Sequence, residues 1–326
     1  KDLIAKAIKN GLERVDYEQK GETVPFMVGL KDKVFSKLVF SKFKEGLGIV
    51  DTEYFVTAAA PMNKDVHRWF HAIGIDVTEI YGMTEDTGPA TIGVPGNAVE
   101  SFSKRLKADS IEVPSVLNPI GKVGIPIPGT EVKVMEDGEL CIKGNHVAQG
   151  YYKSDEQTKE TFDSDGWLHT GDLAEIDSEG YVKIIGRKKE ILITSAGKNI
   201  APVEVEDLIK PHQLIGQICV VGDGKQYLTA LIVLDGDGGA ESWASDNNVE
   251  YSIENMAKNQ TVIDAIQKQV DEANSQVAQV QQIKKFVVLE KEWTDSSGEL
   301  TPTLKLKINV IAEMYNEEIE SMYEEG

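Results

Sequence analysis

Between Asp165 and Glu206 the chain reads DGWLHTGDLAEIDSEGYVKIIGRKKEILITSAGKNIAPVEVE, and its period of two leaves little freedom. Leu173 to Asp177 and Tyr181 to Ile185 are short β runs, and Ser178-Glu179-Gly180 has the composition of the tight turn that joins them. A second glycine turn, at Gly197, then feeds a helix. Asp172 falls just before one strand, directly after Gly171, and Arg187 just after the next. A carboxylate and a guanidinium at neighbouring strand ends can hydrogen-bond a polyol such as ribose, each charge-assisted bond contributing roughly 1.5 to 3 kcal/mol when sheltered from water. A structural Asp–Arg pair beside a hairpin has the same spacing, so spacing alone leaves both readings open.

Upstream the rhythm changes. Residues 1 to 14 have helical periodicity, and the Lys- and Phe-rich residues 31 to 46 predict a helix on the outside of a sheet. Glu53 to Thr57 reads as a strand, Ala58-Ala59-Ala60-Pro61 as a small-residue turn, Asn63 as the cap of a helix to Ile73, and Asp76 to Ile80 as a strand. Strand, helix, strand is the pattern of a parallel sheet with helices packed on it, which binds ligands beyond the carboxyl ends of its strands. From Gly121 to Gly150 the pattern is all β, with a hairpin turn at Asp137-Gly138. After Lys189 it becomes α+β, with strands at Leu214 to Val221, Tyr227 to Leu234 and Lys285 to Leu289, and helices at Glu241 to Asn247 and from Ile253 to about Ala278. The fold class is α/β in two domains, 1–187 and 188–326.

Composition removes several classes of function. A formal charge of −20 disfavours a nucleic-acid surface, which needs clustered Lys and Arg. No apolar run approaches the roughly 20 residues of a membrane span. Cys141 and Cys219 fall in strands far apart in sequence and predict a buried, reduced pair. His67 and His71 are four apart on a helix without a third ligand, and are expected on the surface. Asp235-Gly236-Asp237-Gly238-Gly239 opens like a calcium loop but has Asp246 at its twelfth position.

Several ordered motifs together resemble the adenylate-forming acyl-CoA synthetases, the wider group that includes luciferases and peptide-synthetase adenylation domains. They are Tyr81-Gly82-Met83-Thr84-Glu85, Thr170-Gly171-Asp172, Gly186-Arg187, Gly197-Lys198-Asn199-Ile200-Ala201-Pro202-Val203-Glu204, and Leu300-Thr301-Pro302-Thr303-Leu304-Lys305 in the form of the long-chain synthetases. The resemblance implies part of a large adenylate-forming domain, a parallel sheet with helices and a small β subdomain, followed by a small mobile α+β domain with a hinge at Lys189. It implies ATP, Mg²⁺, coenzyme A and a fatty acid as ligands, and no nucleic acid.

By that resemblance Tyr81 stacks on adenine beside Gly82, and Ala59 and Ala60 line the adenine and acyl sites. Thr84 contacts the α-phosphate, Glu85 holds Mg²⁺, and Asp172 with Arg187 holds ribose. Gly197, with Lys198, borders the pantetheine path, and Lys305 serves adenylation, with Lys307 as runner-up. The glycine that usually precedes this lysine is Leu304 here, and the arginine often found three residues beyond it is Ile308. The implied activity is ATP-dependent conversion of a long-chain fatty acid to acyl-adenylate and then acyl-CoA in the cytoplasm, with a peripheral membrane contact allowed. A ligase for another carboxylate, or a binding fragment without turnover, are the alternatives. The family's phosphate loop, ending Pro-Lys-Gly, has no counterpart between Lys1 and Tyr81. The chain is therefore expected to be the carboxyl-terminal part of a larger synthetase, and to self-associate or pair with the missing half.

Overall fold

A computed structural model describes residues 2–94, 116 and 118–324. The chain divides into two compact units, Lys1–Ile184 and Ile185–Gly326.

The first unit begins with α1 (Asp2–Gln19) and α2 (Phe26–Phe35), a wide π turn (Ser36–Phe40) and α3 (Ser41–Leu47). The single helix expected over 31 to 46 is thus a longer, broken element. The π turn carries Val39 and Phe40 into a core with Ala7, Ile73, Ile75 and Val77, while Phe26, Leu30, Val34 and Leu38 stay exposed. Next, β1 (Phe55–Thr57), α4 (Lys64–Ala72) and β2 (Val77–Met83) form the expected strand-helix-strand unit, and the two strands pair in parallel with Thr57 opposite Glu79. Asn63 caps α4, its Oδ1 accepting from the amides of Asp65 and Val66 at 3.0 and 3.1 Å. Strands β3 (Gly88–Ile92) and β4 (Ile125–Pro126) extend this sheet antiparallel in the order β1-β2-β3-β4.

The predicted Asp137-Gly138 hairpin is β5 (Thr130–Val134) and β6 (Glu139–Gly144). Past α5 (Asp155–Thr161), β7 (Leu168–Ile176) and β8 (Val182–Arg187) complete a sheet ordered β5-β6-β7-β8. Asp172 was expected ahead of this strand and lies inside it. Leu140, Ala174 and Val182 pack in one cluster and Ala90, Ile142 and Leu168 in another; Leu140 and Ile142, two apart on β6, lie on one face, and Tyr81 and Val132 pack against both clusters.

His67 and His71 require a correction, because neither lies on the surface: they are 0% and 8% exposed. Their ring nitrogens lie 2.8 and 3.0 Å from the carbonyl oxygen of Val77. Their partners come from the strand after the helix, where helical spacing gives no hint of them.

In the second unit a short hairpin, β9 (Leu192–Ile193) and β10 (Asn199–Ile200), leads into α6 (Pro202–Ile209). Strands β11 (Ile215–Val221), β12 (Leu228–Leu234) and β13 (Ile283–Leu289) form a three-stranded sheet, β11 antiparallel and β13 parallel to β12. Ile218, Val220, Leu228, Ala230 and Ile232 face a core with α6 and the helices α7 (Gly239–Asp246), α8 (Ile253–Ala257) and α9 (Gln260–Asn274). Cys219, Val221, Leu231 and Val233 face a second core with α10 (Ile308–Met314) and α11 (Asn316–Ser321). Both faces are covered, so β11 and β12 read as continuous apolar runs. The helix expected from Ile253 to Ala278 is broken, because Asn259 caps a new helix through the amide of Thr261 at 2.9 Å. Both cysteines are buried and free, as expected.

Candidate nucleotide-binding site

Tyr81 and Gly82 lie at the end of β2, where the chain turns back into β3. A Cβ at Gly82 would stand 2.0 Å from the carbonyl oxygen of Gly88, so the close approach of the two strands admits only glycine. Beside this contact the register slips between Tyr81, opposite Thr91, and Gly82, opposite Pro89. The slip belongs to a bulge, which re-aims side chains at a strand end. Tyr81 Oη donates to Asp172 Oδ2 at 2.5 Å, joining two motifs 91 residues apart in sequence. Burial, reinforced by the Asp172 charge, holds the Tyr81 phenol far above its usual range, so it remains a neutral donor.

Asp172 is 8% exposed and sits on a second bulge. Cys141 pairs with His169 and Glu139 with Leu173, so the single residue Leu140 on β6 faces Thr170, Gly171 and Asp172 on β7. Gly171 adopts φ +73°, the left-handed conformation that glycine takes without strain. Thr170 Oγ1 donates to the carbonyl of Leu140 at 2.7 Å and accepts from the amide of Asp172 at 3.1 Å. Glu139 Oε1 accepts from the amide of Gly171 at 2.9 Å.

Thr84 and Glu85 follow β2 on a one-turn 3₁₀ helix, Thr84–Asp86. Asp86 pins this turn, its Oδ1 accepting from the amides of Met83 at 3.0 Å and Gly88 at 3.2 Å, and burial raises its carboxyl pKa. The carbonyl of Glu85 accepts from the amide of Ala148 at 2.7 Å, and its Oε1 accepts from Tyr151 Oη at 2.5 Å. Burial, then the Glu85 bond, raises the pKa of Tyr151. Thr84 is exposed and Glu85 half-buried, so a hydroxyl and an oriented carboxylate are presented one residue apart. A single carboxylate of this kind suits Mg²⁺, which takes most of its ligands from phosphate oxygens and water.

Ala59 and Ala60 are exposed on the turn after β1. Ala59 adopts φ +75°, a left-handed conformation that costs an alanine on the order of 1 kcal/mol. Glu79, two residues before Tyr81, anchors the far side of this turn, its Oε1 accepting from the amide of Met62 at 3.0 Å. His67 Nδ1 lies 3.4 Å from Glu79 Oε2. Burial lowers the His67 pKa, but bonds to Glu79 and the Val77 carbonyl outweigh it and the net shift is upward. Sequence reasoning missed Glu79, Glu139 and Tyr151 as supports of the site. Only Glu139, directly after the Asp137-Gly138 turn and opposite the Asp172 motif once the hairpin is paired, left a readable signal.

The remaining expected residues belong to the second unit. Arg187 ends β8. Gly197 and Lys198 are exposed on the β9–β10 turn, where the amide of Lys198 donates to Thr194 Oγ1 at 3.2 Å. Lys305 is exposed on a small hairpin closed by the Leu300–Leu306 bridge. The amide of Thr301 donates to the carbonyl of Lys305 at 2.8 Å, and the amide of Lys305 donates to Thr301 Oγ1 at 3.0 Å. Leu304 adopts φ +61° and is 68% exposed, so it occupies a glycine conformation where the resembling family carries glycine. Lys307 is half-buried.

An aromatic ring, a hydroxyl and a carboxylate thus lie close in sequence at the end of β2, and the aromatic ring is bonded to a buried acid inside β7. The model of the AMP-binding enzymes matches residues 24–152, and that of the AMP-binding enzyme C-terminal domain matches residues 189–326. The chain belongs to the AMP-binding enzyme family. It is 36% identical over 295 residues to the long-chain-fatty-acid–CoA ligase FadD15 of Mycobacterium bovis, covering 90% of this chain and 45% of that protein. To the long-chain-fatty-acid–CoA ligase ACSBG2 of Xenopus laevis it is 33% identical over 320 residues, covering 91% of this chain and 41% of that protein. The chain therefore spans less than half the length of these relatives. Among solved structures it resembles the adenylation domain of a carboxylic acid reductase from Segniliparus rugosus in complex with AMP and a co-purified carboxylic acid, with TM-score 0.62, 20% identity, 97% of this chain and 45% of that one. At that identity the likeness shows the fold, an α/β adenylation fold.

Proposed function

We propose that this chain supplies the nucleotide-handling part of an ATP-dependent, AMP-forming fatty-acid–CoA ligase. The observation that supports the reading is the Tyr81 Oη–Asp172 Oδ2 contact, which joins the two motifs that the resemblance assigns to adenine and to ribose. The names of the relatives support the substrate class. In this reading a fatty-acid carboxylate oxygen attacks the α-phosphorus of Mg-ATP, the bond to the β,γ-phosphates breaks, and pyrophosphate leaves. The thiol of coenzyme A, losing its proton, then attacks the acyl carbonyl, and AMP leaves with the bonding pair. Tyr81 stacks adenine, Asp172 and Arg187 hold ribose, Thr84 contacts the α-phosphate, and Glu85 holds Mg²⁺. Lys305 offsets charge on the phosphoryl group as it transfers, and Gly197 and Lys198 border the thiol path, with the hinge near Lys189 exchanging the two steps.

The reading further places the protein in the cytoplasm with a peripheral membrane contact, supported by the exposed stripe Phe26, Leu30, Val34 and Leu38 interleaved with Lys31, Lys33 and Lys37. The test is fatty-acid-dependent exchange of labelled pyrophosphate into ATP across C12 to C18 acids, run on this chain alone and on the chain extended to its relatives' length. Exchange by the extended protein, abolished by Lys305→Ala, supports the proposal. Exchange that depends on an aromatic acid but on no fatty acid overturns the substrate class, and absence of exchange with any acid overturns the activity.

A further inference from the structure

The Asp172 bulge is held from outside the recognised motifs. We propose that Glu139 is a positioning residue for ribose recognition, fixing Asp172 through the backbone of Gly171. This inference rests on the nucleotide-site reading above.

Glu139 is 8% exposed and opens β6 opposite Leu173, where the extra residues of β7 leave the ladder. On the β6 side the ladder is interrupted at Thr170-Gly171-Asp172, and there side chains take up the amides of Gly171 and Asp172. Thr170 Oγ1 takes the amide of Asp172, and Glu139 Oε1 takes the amide of Gly171 at 2.9 Å. The second oxygen of Glu139 lies 3.3 Å from His169 Nδ1, and His169 Nε2 lies 3.6 Å from Asp163 Oδ2, so the carboxylate is held at both ends. Gly171 is in the left-handed region, and a free glycine there has many other conformations. A charge-assisted bond to its amide selects one of them. The bond fixes the Thr170–Gly171 peptide, and with Gly171 held at φ +73° that peptide sets the direction in which the chain enters Asp172 and so aims its carboxylate. Glu139 touches no nucleotide in this account and acts only through Gly171.

The test separates aiming from general support by using a ligand that lacks what Asp172 binds. Calorimetry measures the affinities of the 326-residue chain for AMP and for 2′,3′-dideoxy-AMP. The wild type is expected to prefer AMP by about tenfold or more, as a charged partner of two hydroxyls provides. Asp172→Ala should erase that preference. Glu139→Ala should cut it to about threefold or less, while its affinity for dideoxy-AMP stays within about twofold of wild type. Glu139→Gln keeps an acceptor for Gly171 and should retain most of the preference. Equal losses for both ligands in Glu139→Ala, or an unchanged preference in a variant whose melting curve matches wild type, overturn the positioning role. If the wild type binds neither ligand, or prefers neither, the nucleotide-site reading fails first and the inference falls with it. If Glu139→Ala does not fold, Glu139→Gln and Gly171→Ala decide. Gly171→Ala strains the left-handed backbone of residue 171 itself without touching Glu139 and must also lower the preference, and its failure to do so counts against the inference.

Discussion

Tyr81→Phe removes one atom from the centre of the proposed site and leaves the ring that would stack on adenine. The lost bond is a 2.5 Å contact to the 8%-exposed Asp172, sheltered from the competition with water that weakens surface bonds. Hydrogen bonds to a charged group contribute about 1.5 to 3 kcal/mol, so about 2 kcal/mol is expected here. For a unit of this size about 2 kcal/mol corresponds to about 4 to 8 °C of melting temperature. Scanning calorimetry should show that shift in the transition of the first unit and leave the second unit's transition in place. AMP affinity should fall by less than for Asp172→Ala, because the ring remains and only the aim of the acid is loosened. A first-unit transition within about 1 °C of wild type would refute the claim that the pair is a sheltered, charge-assisted contact.

Burial, with Asp207 and Glu190 adding to it, raises the Glu206 carboxyl in the second unit to about 7, and its Oε1 accepts from the amide of Val220 at 2.7 Å. A folded-state pKa raised above the unfolded value means the stabilising proton is retained at low pH and lost as pH rises through about 7. Stability of that unit should therefore fall between about pH 4.5 and 8 by up to about 3 kcal/mol. Glu206→Gln keeps the acceptor and should flatten the profile in urea titrations; an unchanged slope would contradict it. Leu304→Gly relieves a left-handed leucine and should cost no stability, or raise it by up to about 1 kcal/mol, whereas Leu304→Val should lower it; hairpin melting followed by amide exchange at Lys305 checks both. Gly82→Ala should destabilise the first unit by more than about 2 kcal/mol, because its Cβ would meet a backbone oxygen that has no rotamer to move; an unaltered denaturation midpoint would contradict the close approach.

What could be read from the sequence followed local periodicity. The strand-helix-strand unit around Asn63, the Asp137-Gly138 hairpin and the apolar runs of β11 and β12 are each specified by neighbouring residues, and each lies where its pattern placed it. The failures came from partners on other elements and from caps and bulges that periodicity does not register. His67 and His71 read as a surface pair because helical spacing says nothing of Val77 and Glu79, which bury them. The long helix predicted over 253 to 278 ignored Asn259 as a cap. Asp172 was placed ahead of its strand because a bulge has no signature in hydrophobic alternation, although Thr170 and Gly171 supply its hydroxyl and its left-handed turn. Tyr81 and Asp172 were singled out separately, and only the pairing of β2 and β7 side chains joins them. Glu139, Tyr151 and Glu79 support the site through backbone amides and phenol bonds, contacts that residue type alone does not announce.

The central claim is that Tyr81 and Asp172 together receive an adenine nucleoside. A crystal of this chain grown with AMP would test it most directly. The account predicts adenine against the face of the Tyr81 ring and ribose hydroxyls within hydrogen-bonding distance of the Asp172 carboxylate. Nucleotide density elsewhere, with the Tyr81–Asp172 pair untouched at saturating AMP, would contradict it.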